Sequence, residues 1–178
     1  MRLKKNLSKS QDGSTLVEFA LLAPVFFLLI TGMVEFVLYH YKLYALNHVV
    51  YEATRNLQTG EVQNWSDNDA STTNDMSVAF QTEVCAHAST LINCNTIAFD
   101  VRTFNSIGAV TYPPATFDEY GNPTNFVFQP GGPKAYSVVR AAIPHHFVTP
   151  FMNELMGLAD GVPAVVNAYS IVRNEPWT

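Results

Sequence analysis

The apolar residues of this chain are concentrated at its N-terminal end. Phe19–Val34 is a run of sixteen residues without a charge, and after Glu35 the run resumes as Phe36–Tyr39. A helix needs about 20 mostly apolar residues to cross the ~30 Å hydrocarbon core of a bilayer. The pattern therefore predicts one membrane-spanning helix, preceded by a polar leader at residues 1–13.

The helical pattern continues beyond the apolar run. A stripe of apolar residues recurs at spacings of three and four, which is typical of a helix with one buried face. Thr59 and Gly60 supply a stop, since glycine readily takes the left-handed conformation that closes a helix. A helix over residues 14–60 would be about 70 Å long at ~1.5 Å per residue, over twice the hydrocarbon thickness. Its outer half must therefore leave the membrane and pack on something; the stripe consists of Leu43, Leu46, Val50, Ala53 and Leu57.

Residues 61–178 change from a helical to an alternating pattern. A second helix is predicted from Met76 to about Leu91, and a short one after Thr149-Pro150. Alternation of apolar and polar residues over Ile97–Arg102 then predicts a half-buried strand, and two further strands are predicted after it. The chain is thus predicted to be α+β, with an extracytoplasmic domain in which the second helix packs with a small antiparallel sheet of three to four strands. The predicted strands are Ile97–Arg102, Tyr136–Ile143 and Ala164–Arg173, with a short fourth at Ile107–Tyr112 or Phe126–Phe128.

A long irregular excursion separates two of these strands. Residues 113–134 hold five of the ten prolines and three of the nine glycines. Loops of this length without secondary structure are usually functional or mobile. The pattern leaves the role of this excursion open.

The charge is distributed unevenly. The net charge is −5, but residues 1–13 carry four of the ten cations and one anion, so the remainder has 6 cations against 14 anions, a net of −8. An acidic domain argues against nucleic acid as a partner, because no basic patch remains to neutralise phosphates. The basic leader before the apolar run predicts a cytoplasmic N-terminus by the positive-inside rule, and so a C-terminal domain outside the cytoplasm.

The two cysteines, Cys85 and Cys94, favour a disulfide in an oxidising compartment, with two inert thiols as the alternative. In a continuous helix their Cα atoms would be ~13 Å apart, whereas a disulfide needs them within ~7 Å. A bridge therefore requires the second helix to end by about Leu91.

No arrangement of residues predicts catalysis or a cofactor. Nucleophile elbows, phosphate-cradling loops and Cys/His nucleophile pairs are absent from the sequence. His145-His146 has no third ligand at metal-binding spacing, and Asp67, Asp69 and Asp75 lack the glycine and bidentate glutamate of an EF-hand loop. We expect no enzyme activity, no cofactor and no metal.

Processing is predicted before the apolar run rather than after it. A signal-peptidase site would follow the run, but no small-x-small site stands there. Gly13-Ser14 directly precedes the run, and Glu18 would be the fifth residue of a chain that begins at Ser14. A carboxylate entering a hydrocarbon-facing helix is costly and is by default functional. A helix-start acid at the membrane edge is the alternative interpretation of Glu18.

These residues resemble a known family. Gly13-Ser14 with Glu18 and Phe19 resembles the prepilin peptidase motif of type IV-like pilins. The surrounding Val17–Pro24, the later Gly32–Phe36 and Ala53–Arg55, and the ending Ser170–Pro176 resemble the TadE-like family, minor pseudopilins of the Tad (tight adherence, type IVc) pilus machinery. The resemblance is strong over about residues 10–60, moderate at the C-terminus and weak between.

The resemblance implies a function and partners. It implies a minor pseudopilin in the bacterial inner membrane, single-pass, cleaved by prepilin peptidase between Gly13 and Ser14, with its C-terminal domain periplasmic or extracellular. Implied partners are prepilin peptidase, other pilin and pseudopilin subunits, the inner-membrane assembly platform and the lipid bilayer, with Glu18 in recognition and assembly. The alternative is an unprocessed, membrane-anchored binding or adhesion module that acts through residues 113–134.

Overall fold

A computed structural model describes residues 12–64, 73–86, 92–149, 152–157 and 162–177. The predicted α+β architecture is confirmed: a long N-terminal apolar helix is followed by helices and an antiparallel sheet. The polar leader before residue 12 and the Asp67 and Asp69 positions lie outside the described residues.

Helix α1 (Asp12–Thr59) has two halves with different surroundings. From Leu43 onward its apolar stripe packs on the sheet, and Leu46, Val50 and Leu57 are fully buried or nearly so. Before residue 39 most of the helix surface is exposed. Gly60 ends it with φ +82°, beneath the ring of Trp177, where a Cβ would lie 2.6 Å from a ring carbon. The predicted glycine stop is thus confirmed, and contact with Trp177 gives a second reason for it.

The remaining described helices are short. They are α2 (Glu61–Asn64), α3 (Thr73–Ala86) and α4 (Met152–Met156). Helix α3 turns Phe80 and Val84 into the core and ends at Ala86, before the predicted limit of about Leu91; residues 87–91 lie outside the described residues. The helix expected after Thr149-Pro150 is α4, and Gly157 follows its last residue.

The described part of the chain forms a three-stranded antiparallel sheet in the order β1–β2–β3. The register pairs Val101 with Val139 and Ala141 with Ala168. The number of strands agrees with the predicted three to four. The optional short fourth strand does not form, because Ile107–Ala109 is a 3₁₀ turn and Phe128 makes only a single parallel bridge to Val101. The strands are β1 (Ala98–Phe104), β2 (Tyr136–His145) and β3 (Ala164–Arg173).

The central strand β2 is buried on both faces. Its Val139, Ala141 and Ile143 join the core against α1, while Val138 and Arg140 lie on the opposite face and are also buried. β2 runs antiparallel to α1. Its start lies near Gln58, whose carbonyl accepts from the Glu175 amide, and its last residue, His145, lies beside Lys42 of α1. One end of the sheet therefore lies near the exposed half of α1 before residue 39, here called the bare half, and the other end lies far from it.

The proline-rich excursion closes the second face of the sheet through a buried ionic network. Asp100 of β1 accepts hydrogen bonds from Arg140 (2.6 Å), from Arg102 (3.0 Å) and from the amide of Val127 (3.0 Å). Arg140 is 2% exposed and also donates to the Pro113 carbonyl. Its guanidinium packs against two aromatic rings. The centroid of Tyr112, just before the excursion, is 4.9 Å away, and that of Phe126, within it, is 4.4 Å away. Contacts of this kind favour a desolvated cation.

Candidate processing and assembly segment

The predicted cleavage site lies in the first turn of α1. The helix begins at Asp12, so the Gly13–Ser14 peptide is helical in the uncleaved chain. A Cβ placed on Gly13 would meet nothing within 4 Å. The geometry leaves the peptide accessible to another protein.

Glu18 stands on the exposed surface of α1 just before the apolar run. Among the residues that the structure describes, its carboxylate has no hydrogen-bond or ion-pair partner. In the uncleaved helix it lies in the second turn. Cleavage after Gly13 would place it in the first turn, where the helix dipole favours a negative charge.

The half of α1 that follows Glu18 exposes an almost wholly apolar surface. None of its most apolar 18-residue window is buried, and the helix is long and apolar enough to cross a membrane. Leu21 is 72% exposed and Met33 is 73% exposed. Soluble monomers rarely expose an apolar surface of this extent, so it marks contact with lipid or with other apolar helices. The predicted bilayer-spanning segment is therefore consistent with a single-pass membrane anchor.

Glu35 interrupts this apolar surface and holds a distant loop against it. Its carboxylate accepts the amide of Val148, and both of its oxygens accept the amide of Thr149, at 3.1 and 3.0 Å. Two consecutive backbone N–H groups thus converge on one carboxylate. Hydrogen bonds to a charged acceptor are stronger than neutral ones. Glu35 therefore fixes the end of the domain to α1 at the boundary of its bare half.

A second contact between α1 and the domain lies two turns further along the helix. The Lys42 ammonium donates to Nδ1 of His145 at 2.9 Å, which requires the neutral ring with its proton on Nε2. Burial, followed by the Lys42 charge, lowers the pKa of His145 from its usual 6.5, while the Glu35 carboxylate opposes this. The rings of Tyr39 and Phe147 pack against the imidazole with centroids 5.5 and 4.5 Å away. His145 thus has a structural role in joining the domain to the helix.

His146, the neighbour of His145, is exposed, so the two imidazoles do not form a joint site. Among the described residues no group of three or more His, Cys, Asp and Glu side chains could hold a metal ion. The Lys42 charge beside His145 also disfavours a metal cation there.

Cys85 and Cys94 form the predicted disulfide, with their Cα atoms 5.7 Å apart. Cys85 lies in the last described turn of α3, and Cys94 opens a 3₁₀ turn at Cys94–Thr96. Asn93 caps that turn by accepting the Asn95 amide. The disulfide ties α3 to the beginning of β1.

Sequence reasoning missed the contacts that join the domain to α1. The sequence pattern assigned no contact to Glu35 or to Lys42. Their partners lie 113 and 103 residues away, at the end of β2. The sequence feature that could have predicted these contacts is a carboxylate and an ammonium on one helix, together with a strand that ends at the His145-His146 pair.

Comparison with known proteins agrees with the N-terminal geometry. Residues 13–55 match the family model described as TadE-like protein. No curated protein and no solved structure matches the chain. The matched segment begins at the glycine of the predicted cleavage site and ends within the part of α1 that packs on the sheet. The resemblance to the TadE-like family, which is associated with the Tad pilus, is thus confirmed over residues 13–55.

Proposed function

We propose that this protein is a minor pseudopilin, cleaved by prepilin peptidase between Gly13 and Ser14, that takes part in assembly of a Tad-type pilus or related secretion filament. The observation that carries the proposal is the bare apolar half of α1, which begins directly after the cleavage site and is continuous with the half that carries the folded domain. The same surface can lie in lipid and later be buried against other pilin helices.

The proposal places the subunit in the bacterial inner membrane. The N-terminus is cytoplasmic because residues 1–13 carry an excess of positive charge before the apolar run. The domain that follows α1 lies on the periplasmic side, where its disulfide can form and persist. The protein has no enzymatic chemistry of its own, and Gly13 and Glu18 are features that the peptidase and neighbouring subunits recognise.

The test is the intact mass of the membrane-extracted protein after co-expression with prepilin peptidase. We expect loss of the thirteen leader residues and a new N-terminus at Ser14. Gly13→Leu should block the loss. Gly32→Leu is the matched control, because a Cβ at either glycine would meet nothing within 4 Å and both lie on α1. The control should be cleaved like the wild type.

Recovery of the full-length chain with active peptidase present would refute processing. It would favour instead the unprocessed anchor, with the excursion at residues 113–134 as its binding surface. Cleavage of Gly13→Leu at the wild-type rate would mean that Gly13 is not the recognised residue.

A further inference from the structure

The segment that Glu35 holds against α1 carries an unexpected apolar surface. Val148 is 91% exposed, and Leu155 and Met156 of α4 are 72% and 38% exposed. These three residues are here called the apolar foot. Asn153 connects its two parts, because its side chain accepts the Phe147 amide and donates to the Phe147 carbonyl, each at 2.9 Å. The foot therefore belongs to one hydrogen-bonded unit at the end of the domain.

The foot lies beside the membrane-spanning half of α1. Val148 and Thr149 line an apolar cleft with Ile30, Val34 and Leu38. Counting about 20 residues for the hydrocarbon core from Phe19 places its outer limit near Leu38. Glu35 then lies about 4–5 Å inside that limit at ~1.5 Å per residue, and so does the loop bound to it. Lys42 lies ~6 Å outside it, at the level of the headgroups.

The backbone of this segment is prepared for an environment without water. Non-helical backbone at membrane depth is tolerated only where its polar groups are satisfied by protein. The N–H groups of Phe147, Val148 and Thr149 all donate to side chains, the first to Asn153 and the other two to Glu35. The Thr149 carbonyl accepts the Met152 amide. Three consecutive loop amides are thus hydrogen-bonded to side chains of the protein, while the Val148 side chain is exposed.

We infer that the apolar foot is a second membrane-contacting element, inserted at the outer interface of the bilayer next to α1. The occupant of this surface is lipid, because Val148 lines a cleft with the apolar residues of α1 that the membrane covers, and Asn153 holds α4 to the same loop. Glu154, one residue before Leu155 on α4, is about 100° away around the helix and faces water when Leu155 faces lipid. The inference rests on the part of the proposed function that places α1 in a bilayer.

This second contact would fix the orientation of the domain above the membrane. A single helix leaves a domain free to rotate about its axis, whereas a foot at a distance from the axis does not. Lys42 and the exposed His146 border the same region and can face lipid phosphates. The foot would thereby present one side of the domain consistently to its neighbours.

The test uses the full chain in phosphatidylethanolamine–phosphatidylglycerol vesicles, with one added cysteine carrying an environment-sensitive fluorophore. Cys85 and Cys94 are bridged and stay unlabelled without reductant. The test sites are Val148→Cys and Leu155→Cys. Val25→Cys, on α1, is the lipid reference, and Ile107→Cys is the water reference, 68% exposed and just beyond the far end of β1.

We expect blue-shifted emission at both test sites, with stronger quenching by nitroxide lipids labelled near the headgroup than by deep ones. The label at Val25 should respond in the opposite order. Emission at the test sites like that of Ile107 would overturn the inference and leave the anchor intact. If the Val25 label also reports water, the anchor in the proposed function fails with it.

A second variant tests the role of Glu35 as a positioning residue. Glu35→Leu is more apolar but leaves the Val148 and Thr149 amides without their acceptor, so the blue shift at Val148→Cys should be lost or reduced. Glu83→Leu, which removes an exposed carboxylate from α3, is the control and should leave the shift unchanged. An unchanged shift in Glu35→Leu would overturn the part of the inference that assigns the placement to Glu35.

Discussion

At the scale of single residues, the protonation of His145 makes the folding stability depend on pH. The group faces Lys42 and Glu35 on α1 and its own neighbour His146, and its Nε2 is buried without a hydrogen-bond partner among the described residues. Its pKa in the folded protein is lowered, chiefly by burial. The unfolded state therefore binds more protons between that lowered pKa and the usual 6.5, so folding stability rises with pH in that window.

We expect the melting temperature of the detergent-solubilised protein to fall as the pH is lowered from above 6.5 through the folded-state pKa of His145. His145→Gln should flatten this part of the pH profile, because the titrating group is gone. His146→Gln is the control, since its side chain is exposed, and should keep the wild-type slope. Parallel pH profiles for wild type and His145→Gln would contradict the assignment.

At the scale of elements, local patterns explain the helices and strands but not how they are joined. The spacing of Leu43, Leu46 and Leu57 predicted the packed face of α1, and alternation predicted β1, because both periods follow from backbone geometry. The positions of β2 and β3 were also predicted, although β2 is buried on both faces and does not alternate. The role of the excursion was left open, because the residues that hold it to the sheet, Asp100 and Arg140, are brought together only by the β1–β2 register. Contacts between residues far apart in the sequence produce no periodic pattern from which they could be predicted.

The buried ionic network should hold the excursion to the sheet. Replacing Asp100 by alanine leaves Arg140, 2% exposed, without its carboxylate. Removing one partner of a buried ion pair typically costs about 3–5 kcal/mol. We expect Asp100→Ala to lower the free energy of unfolding by an amount in that range, measured by urea titration in detergent, with faster hydrogen exchange at the Val127 amide.

Asp118→Ala is the control on the same excursion. Its carboxylate organises an exposed turn by accepting the amides of Tyr120 and Asn122. The network at Asp100 should survive that change, with exchange at Val127 as in the wild type. Equal destabilisation by the two variants would show that the excursion is held by its own turn and not by the ionic network.

The disulfide acts on another element, the connection from α3 to β1. Cys85 and Cys94 close a loop with a sequence separation of 9. A bridge over so short a loop stabilises by roughly 2–3 kcal/mol, mainly by restricting the unfolded chain. The double variant Cys85→Ser/Cys94→Ser should lose about that much stability in urea titration. A double variant as stable as the wild type under non-reducing conditions would contradict this.

At the scale of the whole molecule, Glu18 is an unmatched charge on a surface that is otherwise ready for burial. Cleavage after Gly13 would create a positive α-amine at Ser14, one helical turn from Glu18 on the same helix. Within one subunit the two can meet only if the first turn frays. A neighbouring subunit, displaced along the helix axis, can bring its carboxylate to that amine without strain.

Such a pairing would fix the axial register between subunits. A carboxylate buried without a partner costs several kcal/mol, and a slip of one turn, ~5.4 Å, would leave both charges unmatched. Membrane insertion does not need Glu18, because an apolar residue there makes the span more favourable. We therefore expect Glu18→Ala and Glu18→Leu to retain membrane localisation and leader cleavage but to lose co-purification with pilin-like subunits. Glu52→Ala, on the part of α1 that leaves the membrane, is the control and should retain all three. If both Glu18 variants associate with partners and support pilus output at wild-type levels, Glu18 is only an acid at the start of a helix.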